Sequence, residues 1–161
     1  MKAVRILVAV FTVLCVTAAL ADSNAPAFEK IKTLSGSWEG TGSNGKPVQV
    51  SFRVTSNGSA IMSEITGHED MISMFHMDGD RLMMTHYCGA GNQPRMIGQV
   101  SPDGKTIKFD FLDATNVLPA QGGHMQHLIV TLTDENHHTE EWQFATNDGK
   151  TLREVFELTK K

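Results

Sequence analysis

Five glycine pairs govern what this chain can fold into: Asn44-Gly45, Asn57-Gly58, Asp78-Gly79, Asp103-Gly104 and Asp148-Gly149. Each lies between segments in which apolar and polar residues alternate. Asn-Gly or Asp-Gly in that setting is a strong hairpin signal, because these residues tolerate the positive φ of a tight turn. The alternation predicts strands near 37–42, 47–55, 60–66, 71–77, 80–88, 95–101, 106–113, 124–133, 137–146 and 151–159. Val48, Val50, Phe52 and Val54 mark one face of the second, and Ile107, Phe109 and Phe111 alternate with Lys108 and Asp110 in the seventh. Side chains alternate across a strand, so each of these strands is apolar on one face only. A flat sheet of that many strands would expose its edges, whereas rolling it up removes them and gathers the apolar faces inside. The fold class expected is therefore mainly β: one antiparallel up-and-down barrel of about 8–10 strands.

Helical spacing is confined to the start. Asn24 to Leu34 carries a capping Asn, an early Pro26 and apolar Phe28, Ile31 and Leu34 three apart, which predicts a short helix ahead of the barrel. Before it, Lys2 and Arg5 precede an apolar run from Ile6 to Val16, and Ala19-Leu20-Ala21 offers a small-residue cleavage site. That is the pattern of a signal peptide over residues 1–21, leaving 22–161 as one domain. The run is too short to span a bilayer, which takes roughly 20 apolar residues, so no membrane insertion is expected after cleavage. The expected location is secreted or periplasmic.

Cleavage would take two basic residues and no acidic one, moving the net charge from −4 to −6 with neutral histidines. Such a balance disfavours nucleic acid and anionic membrane as partners, since both reward clustered Lys and Arg. It would also remove Cys15 and leave Cys88 alone, so no internal disulfide can form and the core must carry the fold.

The stretch Leu34-Ser35-Gly36-Ser37-Trp38-Glu39-Gly40-Thr41-Gly42, placed after a short helix, resembles the G-x-W opening of lipocalin-like (calycin) barrels. His76 to Leu82, Thr85 to Cys88, Asn92 to Arg95, and the close from Asp148 to Thr159 are similar to secreted bacterial lipocalin-like proteins of unknown function. The resemblance implies a barrel and an exported compartment. Trp38-Glu39-Gly40-Thr41-Gly42 is also similar, more distantly, to the start of nitrobindin-like haem barrels, whose ligand histidine matches no single position here. Cofactors thus stay unassigned, with a haem or metal barrel as one alternative.

The hairpin from Met71 to Cys88 holds the most unusual side chains. A bulged three-residue turn at Asp78-Gly79 would set His76 against Asp80, Met74 against Leu82, Ile72 against Met84 and Asp70 against His86. In that register Ile72, Met74, His76, Leu82, Met84, His86 and Cys88 point inward; a strict two-residue turn would change the pairing. His76 and His86 would stand too far apart to share a metal ion. His68, Asp70 and His86 would form a closer cluster, read here as a hydrogen-bonded cap rather than a metal or proton-transfer site. His124 with His127, and His137 with His138, fall on opposite faces of their strands and read as solvated or singly bonded.

On the ninth strand His138, Glu140, Trp142 and Phe144 share a face, as do Leu152, Glu154, Phe156 and Leu158 on the tenth. If the aromatic faces are internal, Glu140 and Glu154 are drawn inward too. They would then need a partner such as Arg95 or Arg153, or water at an open end. Seven of the nine methionines fall between Met62 and Met96, which suits an adaptable apolar lining better than a copper site. Ala114 to Gly123, the longest unpatterned stretch, is the expected mobile lid at one mouth.

The leading reading is a binding module rather than an enzyme, with a small apolar molecule as partner. Trp38, Met74, Met84, Phe109, Trp142 and Phe156 would form the walls, and His76, His86, Arg95 and Glu140 the polar contacts. An enzyme using a His and carboxylate pair for proton transfer is a further alternative.

Overall fold

The computed structural model describes residues 25–67 and 69–161. The expected signal peptide and His68 lie outside these. A helix, α1 (Ala25–Thr33), is followed by ten strands: β1 (Gly36–Gly42), β2 (Pro47–Thr55), β3 (Ala60–Thr66), β4 (Met71–Asp78), β5 (Arg81–Tyr87), β6 (Gln93–Val100), β7 (Thr106–Thr115), β8 (Gly123–Leu132), β9 (His137–Thr146) and β10 (Thr151–Lys160). Each strand pairs antiparallel with its neighbours in sequence, and β1 closes on β10 from Trp38↔Lys160 to Gly42↔Phe156. The result is a closed meander in which, among the described residues, every strand has a hydrogen-bonded neighbour on both sides.

Burial follows the alternation. Val48, Val50 and Phe52 of β2, Ile61 and Ile65 of β3, Ile107 and Phe109 of β7, and Phe156 and Leu158 of β10 are buried. Val54 lies beyond the last β2 residue that pairs with β1, Phe52 opposite Gly36, and is 39 % exposed.

α1 sits at the end of the barrel where β1 begins, packed against β2, β4, β5 and β6. Its buried stripe is Ala27, Phe28 and Ile31. At the helix exit the Trp38 indole N–H donates to the Leu34 carbonyl over 2.7 Å, which ties the plug to the first inward residue of β1. The ring edge of Trp38 therefore has a partner although the side chain is only 1 % exposed.

The β4–β5 hairpin departs from the expected register. Asp78 pairs with Arg81, so Gly79 and Asp80 make a two-residue turn; Gly79 has φ +63°, the glycine-first pattern of a tight hairpin. Without a bulge residue, Met74 faces Thr85 instead of Leu82, and Ser73 faces His86. That displacement is odd in number, so it exchanges the two faces of β4. Met71, Ser73 and Phe75 point inward; Ile72 is exposed, and Met74 and His76 are half-buried on the outer wall. The inward set on β5 stands as expected, with Leu82, Met84 and His86 buried.

Closure depends on Gly40. A Cβ there would lie 1.8 Å from the backbone oxygen of Glu157 on β10, and no side chain can move aside to admit it. Gly40→Ala is expected to cost about 2–3 kcal/mol, seen as a lowered midpoint in urea unfolding of the purified protein.

Candidate functional site

The mouth opposite α1 opens into a cup of about 370 Å³. One wall comes from adjacent strands β8, β9 and β10, through Met125, Trp142, Phe144, Leu152, Glu154 and Phe156. The pairs Trp142↔Glu154, Phe144↔Leu152 and Met125↔Phe144 make that wall continuous. The facing wall is Met71 at the start of β4, with Cys88, Gly89 and Ala90 from the turn after β5 and Glu69 from the turn before β4. The lining is thus aromatic and thioether in the middle, with carboxylates at the rim. Burial and, to a smaller extent, the negative charge of Glu69 push the Cys88 thiol up from its ordinary value, so it is not an activated nucleophile.

The segment expected as a mobile lid lies at this mouth but is fastened. Asn92, fully buried, donates through Nδ2 to the Gly123 carbonyl (2.9 Å) and to Gln121 Oε1 (3.3 Å). Asn116 Nδ2 donates to the Gly91 carbonyl (2.6 Å), and Asn147 donates through its backbone N–H to Gly122 (2.8 Å) and through Nδ2 to Pro119 (2.9 Å). The three asparagines thus pin the stretch to the two neighbouring turns.

Below the cup the barrel is filled. Trp38, Phe75, Phe109, Met84 and Met96 are at most 1 % exposed, and the Phe75 and Phe109 rings lie 5.3 Å apart. Polar side chains are threaded through this packing. Cross-strand pairing lines up Phe52, Ser63, Ser73 and His86 in one row across β2 to β5. His86, fully buried, shares a 2.9 Å hydrogen bond with Ser73 through Nδ1, while its Nε2 has no protein partner. Its ring lies 4.8 Å from that of Trp142, the floor of the cup. Across the interior, Trp142 Nε1–H donates to Glu140 Oε2 (3.0 Å), and Glu140 Oε1 stands 3.4 Å from His138 Nε2. His138 in turn meets the Trp38 ring edge-on at 4.3 Å.

The residues expected to form the site therefore fall into three groups. Trp142 and Phe156 line the cup. Trp38, Met84, Phe109, His86 and Glu140 are inward and buried in the packing beneath it. Met74, His76 and Arg95 are on the outside: the first two because the β4 faces are exchanged, and Arg95 because it is exposed and ion-paired to Asp113 over 2.6 Å across a bulge between β6 and β7. Arg153 likewise pairs outward with Glu141 (2.6 Å), holding that carboxyl well below its ordinary value. Neither arginine reaches Glu140, which is satisfied by Trp142 and His138 and lies 1 % exposed rather than in water. The His68, Asp70 and His86 cluster does not assemble, since His86 faces Ser73 and Asp70 is exposed, with His68 outside the described residues. His137 is exposed beside Asp134 as its face predicts, but His138 is buried.

The lining residues that the sequence reading passed over are of two kinds. Phe144, Leu152 and Glu154 share faces with Trp142 and Phe156 and were within reach of the alternation. Met71 required the β4 face, and Met125 precedes a bulge in the β8–β9 pairing between Met125 and His127.

A second hollow, of about 600 Å³, lies beside α1, but its rim sets Lys30, Lys105 and Lys160 against Asp103, Asp134 and Glu135. These charges offset one another, so the hollow offers a ligand no net charge.

Burial lowers the His86 pKa from 6.5 to about 4, so the folded protein holds the ring neutral at pH 7. In the unfolded chain the ring takes a proton near pH 6.5, so the unfolded state binds more protons between these values. Stability from this group is complete above pH 6.5 and is lost as pH falls towards 4, about 3 kcal/mol in all. Urea unfolding at pH 7, 5.5 and 4.5 should show this decline, and His86→Gln should flatten it over that window.

No protein-family model matches the chain, and no curated protein matches it. Among solved structures there are 13 matching chains. One is the crystal structure of Rv2717c from M. tuberculosis, at 15 % identity and a TM-score of 0.61, covering 85 % of this chain and 98 % of that one. At that identity the likeness establishes the barrel fold and carries no function with it.

Proposed function

We propose that the protein is an exported binding module that holds a small, largely apolar molecule in the cup at its open mouth. The observation that carries this reading is the cup itself: about 370 Å³, walled by Met71, Met125, Trp142, Phe144 and Phe156, above an interior already packed with side chains. Small-molecule sites are concave and mainly apolar, with a few polar groups to fix orientation, and this volume is near the lower end of their range of roughly 300–1,000 Å³. The ligand is therefore compact and shallowly seated. Methionine side chains repack at little cost, which suits a wall that accepts more than one apolar shape.

Proton-transfer chemistry gains no support from the geometry. The buried His and carboxylate pair, His138 with Glu140, is enclosed among Trp38, Phe52 and Trp142 and does not line the cup.

Export is argued from Lys2, Arg5, the apolar run and Ala19-Leu20-Ala21. Two measurements test the reading. N-terminal sequencing of the protein recovered outside the cytoplasm should begin at Asp22. The neutral fluorophore N-phenyl-1-naphthylamine should brighten on binding, with affinity reduced about tenfold or more by Trp142→Ala and unchanged by Met74→Ala on the outer wall. Equal affinity in all three proteins would place the fluorophore elsewhere and remove the basis of the reading.

A further inference from the structure

We propose that the ligand of this cup is an organic cation, an amine or quaternary ammonium on a compact apolar body, bound between the aromatic wall and the carboxylates of Glu69 and Glu154. The inference rests on the reading of the cup as a ligand site and adds the charge of what it takes.

Three observations support it. First, the cup is lined by two acidic side chains and, among the described residues, by no Lys, Arg or His. Arg95 and Arg153 are turned to the outer wall and occupied by Asp113 and Glu141. The nearest interior histidine, His86, is neutral at pH 7. Among the described residues an anionic ligand would therefore meet carboxylates with no countercharge, whereas a cation finds them already in place.

Second, the two carboxylates lie over positions kept open by missing side chains. A Cβ on Gly42 would stand 2.4 Å from Glu154 Oε1, and one on Gly89 would stand 2.7 Å from Glu69 Oε2. Any other residue at either position would push the acid away from where it stands. Glu154 Oε1 is also 3.5 Å from the backbone N of Asn44. The acids come from opposite walls, Glu154 from β10 and Glu69 from the turn before β4, so they flank the opening.

Third, the surface between them is that which attracts a weakly hydrated cation. Trp142, Phe144 and Phe156 present aromatic rings, and Met71 and Met125 present polarizable thioethers. The Trp142 N–H is already engaged with Glu140, so its indole offers the cup ring surface rather than a competing donor. Aromatic walls with nearby carboxylates are the physical requirement for recognising ammonium groups.

The test compares benzyltrimethylammonium with neopentylbenzene, which has the same shape with carbon in place of the charged nitrogen, by calorimetry at low ionic strength. The ammonium should bind roughly tenfold more tightly. The doubly substituted Glu69→Gln, Glu154→Gln protein should lose that advantage while keeping its affinity for neopentylbenzene. Glu64→Gln, an exposed acid on the outer face of β3, should change neither. If neopentylbenzene binds as well as the ammonium, or the double variant keeps the preference, the charge assignment is overturned and the apolar cup survives. If neither molecule binds, both fall together.

Discussion

The contact on which the rest depends is the seam between β1 and β10. Nine hairpin-joined pairings could exist in an open, curling sheet, but once Trp38 to Gly42 lie against Phe156 to Lys160 the inner faces of all ten strands share one enclosed volume. Alternation then becomes obligatory rather than favourable, because an inward residue has nowhere else to go. The seam is made by a glycine-rich strand for a steric reason. At Gly40 the backbone of β10 passes where a side chain would begin. Closure therefore depends on what β1 lacks as much as on the apolar groups it supplies.

Enclosure explains why the interior polar groups are arranged as they are. Removing a hydroxyl, imidazole or carboxyl from water is costly unless partners are supplied within the barrel. Ser73 and His86 supply each other; Glu140 takes the Trp142 indole N–H and approaches His138, and Trp38 finds a carbonyl at the helix exit. Both tryptophans have the indole N–H turned into the packing. Trp142 is the clearest case, with its N–H held by Glu140 below while the ring forms the floor of the cup above. The buried polar network thus sets the orientation of the ring that any ligand would meet.

Much of the fold was legible in the sequence, and the site was legible only in part. Strand limits followed from the glycine turns and from alternation, which are local properties. The ten strands and the leading helix all stand within two residues of where spacing placed them, the widest offsets being the start of β6 and the end of β7 beside the bulge near Arg95. Which face of a strand points inward is legible where its two faces differ in polarity, as in β2, β7 and β10. It fails in β4, Met71-Ile72-Ser73-Met74-Phe75-His76-Met77, where apolar residues occupy both parities. There the turn decides, and a two-residue rather than three-residue loop exchanged the faces, carrying Met74 and His76 outside and bringing in Ser73. Asn92 was beyond reach for another reason: its role in fastening the 116–122 segment depends on a contact across the mouth that no local pattern encodes.

The barrel is divided along its axis, and the division bears on function. At the end plugged by α1, the helix stripe and the large inward side chains pack the barrel interior. Towards the opposite mouth the inward positions shrink or retreat: Gly42 on β1 and Gly123 on β8 contribute no side chain, while the acids at 69 and 154 stay at the rim. The cup is what remains when the packing stops one layer short. Such a layout separates two demands that conflict in a fully hollow barrel, since the packed half can carry stability while the open half keeps an unfilled surface. A guest in the proposed cup would seat on Trp142 rather than thread past it. Selectivity for such a guest would then be decided by the rim and the floor, where Trp142, Phe144, Leu152, Glu154 and Phe156 lie on faces that alternation alone marks.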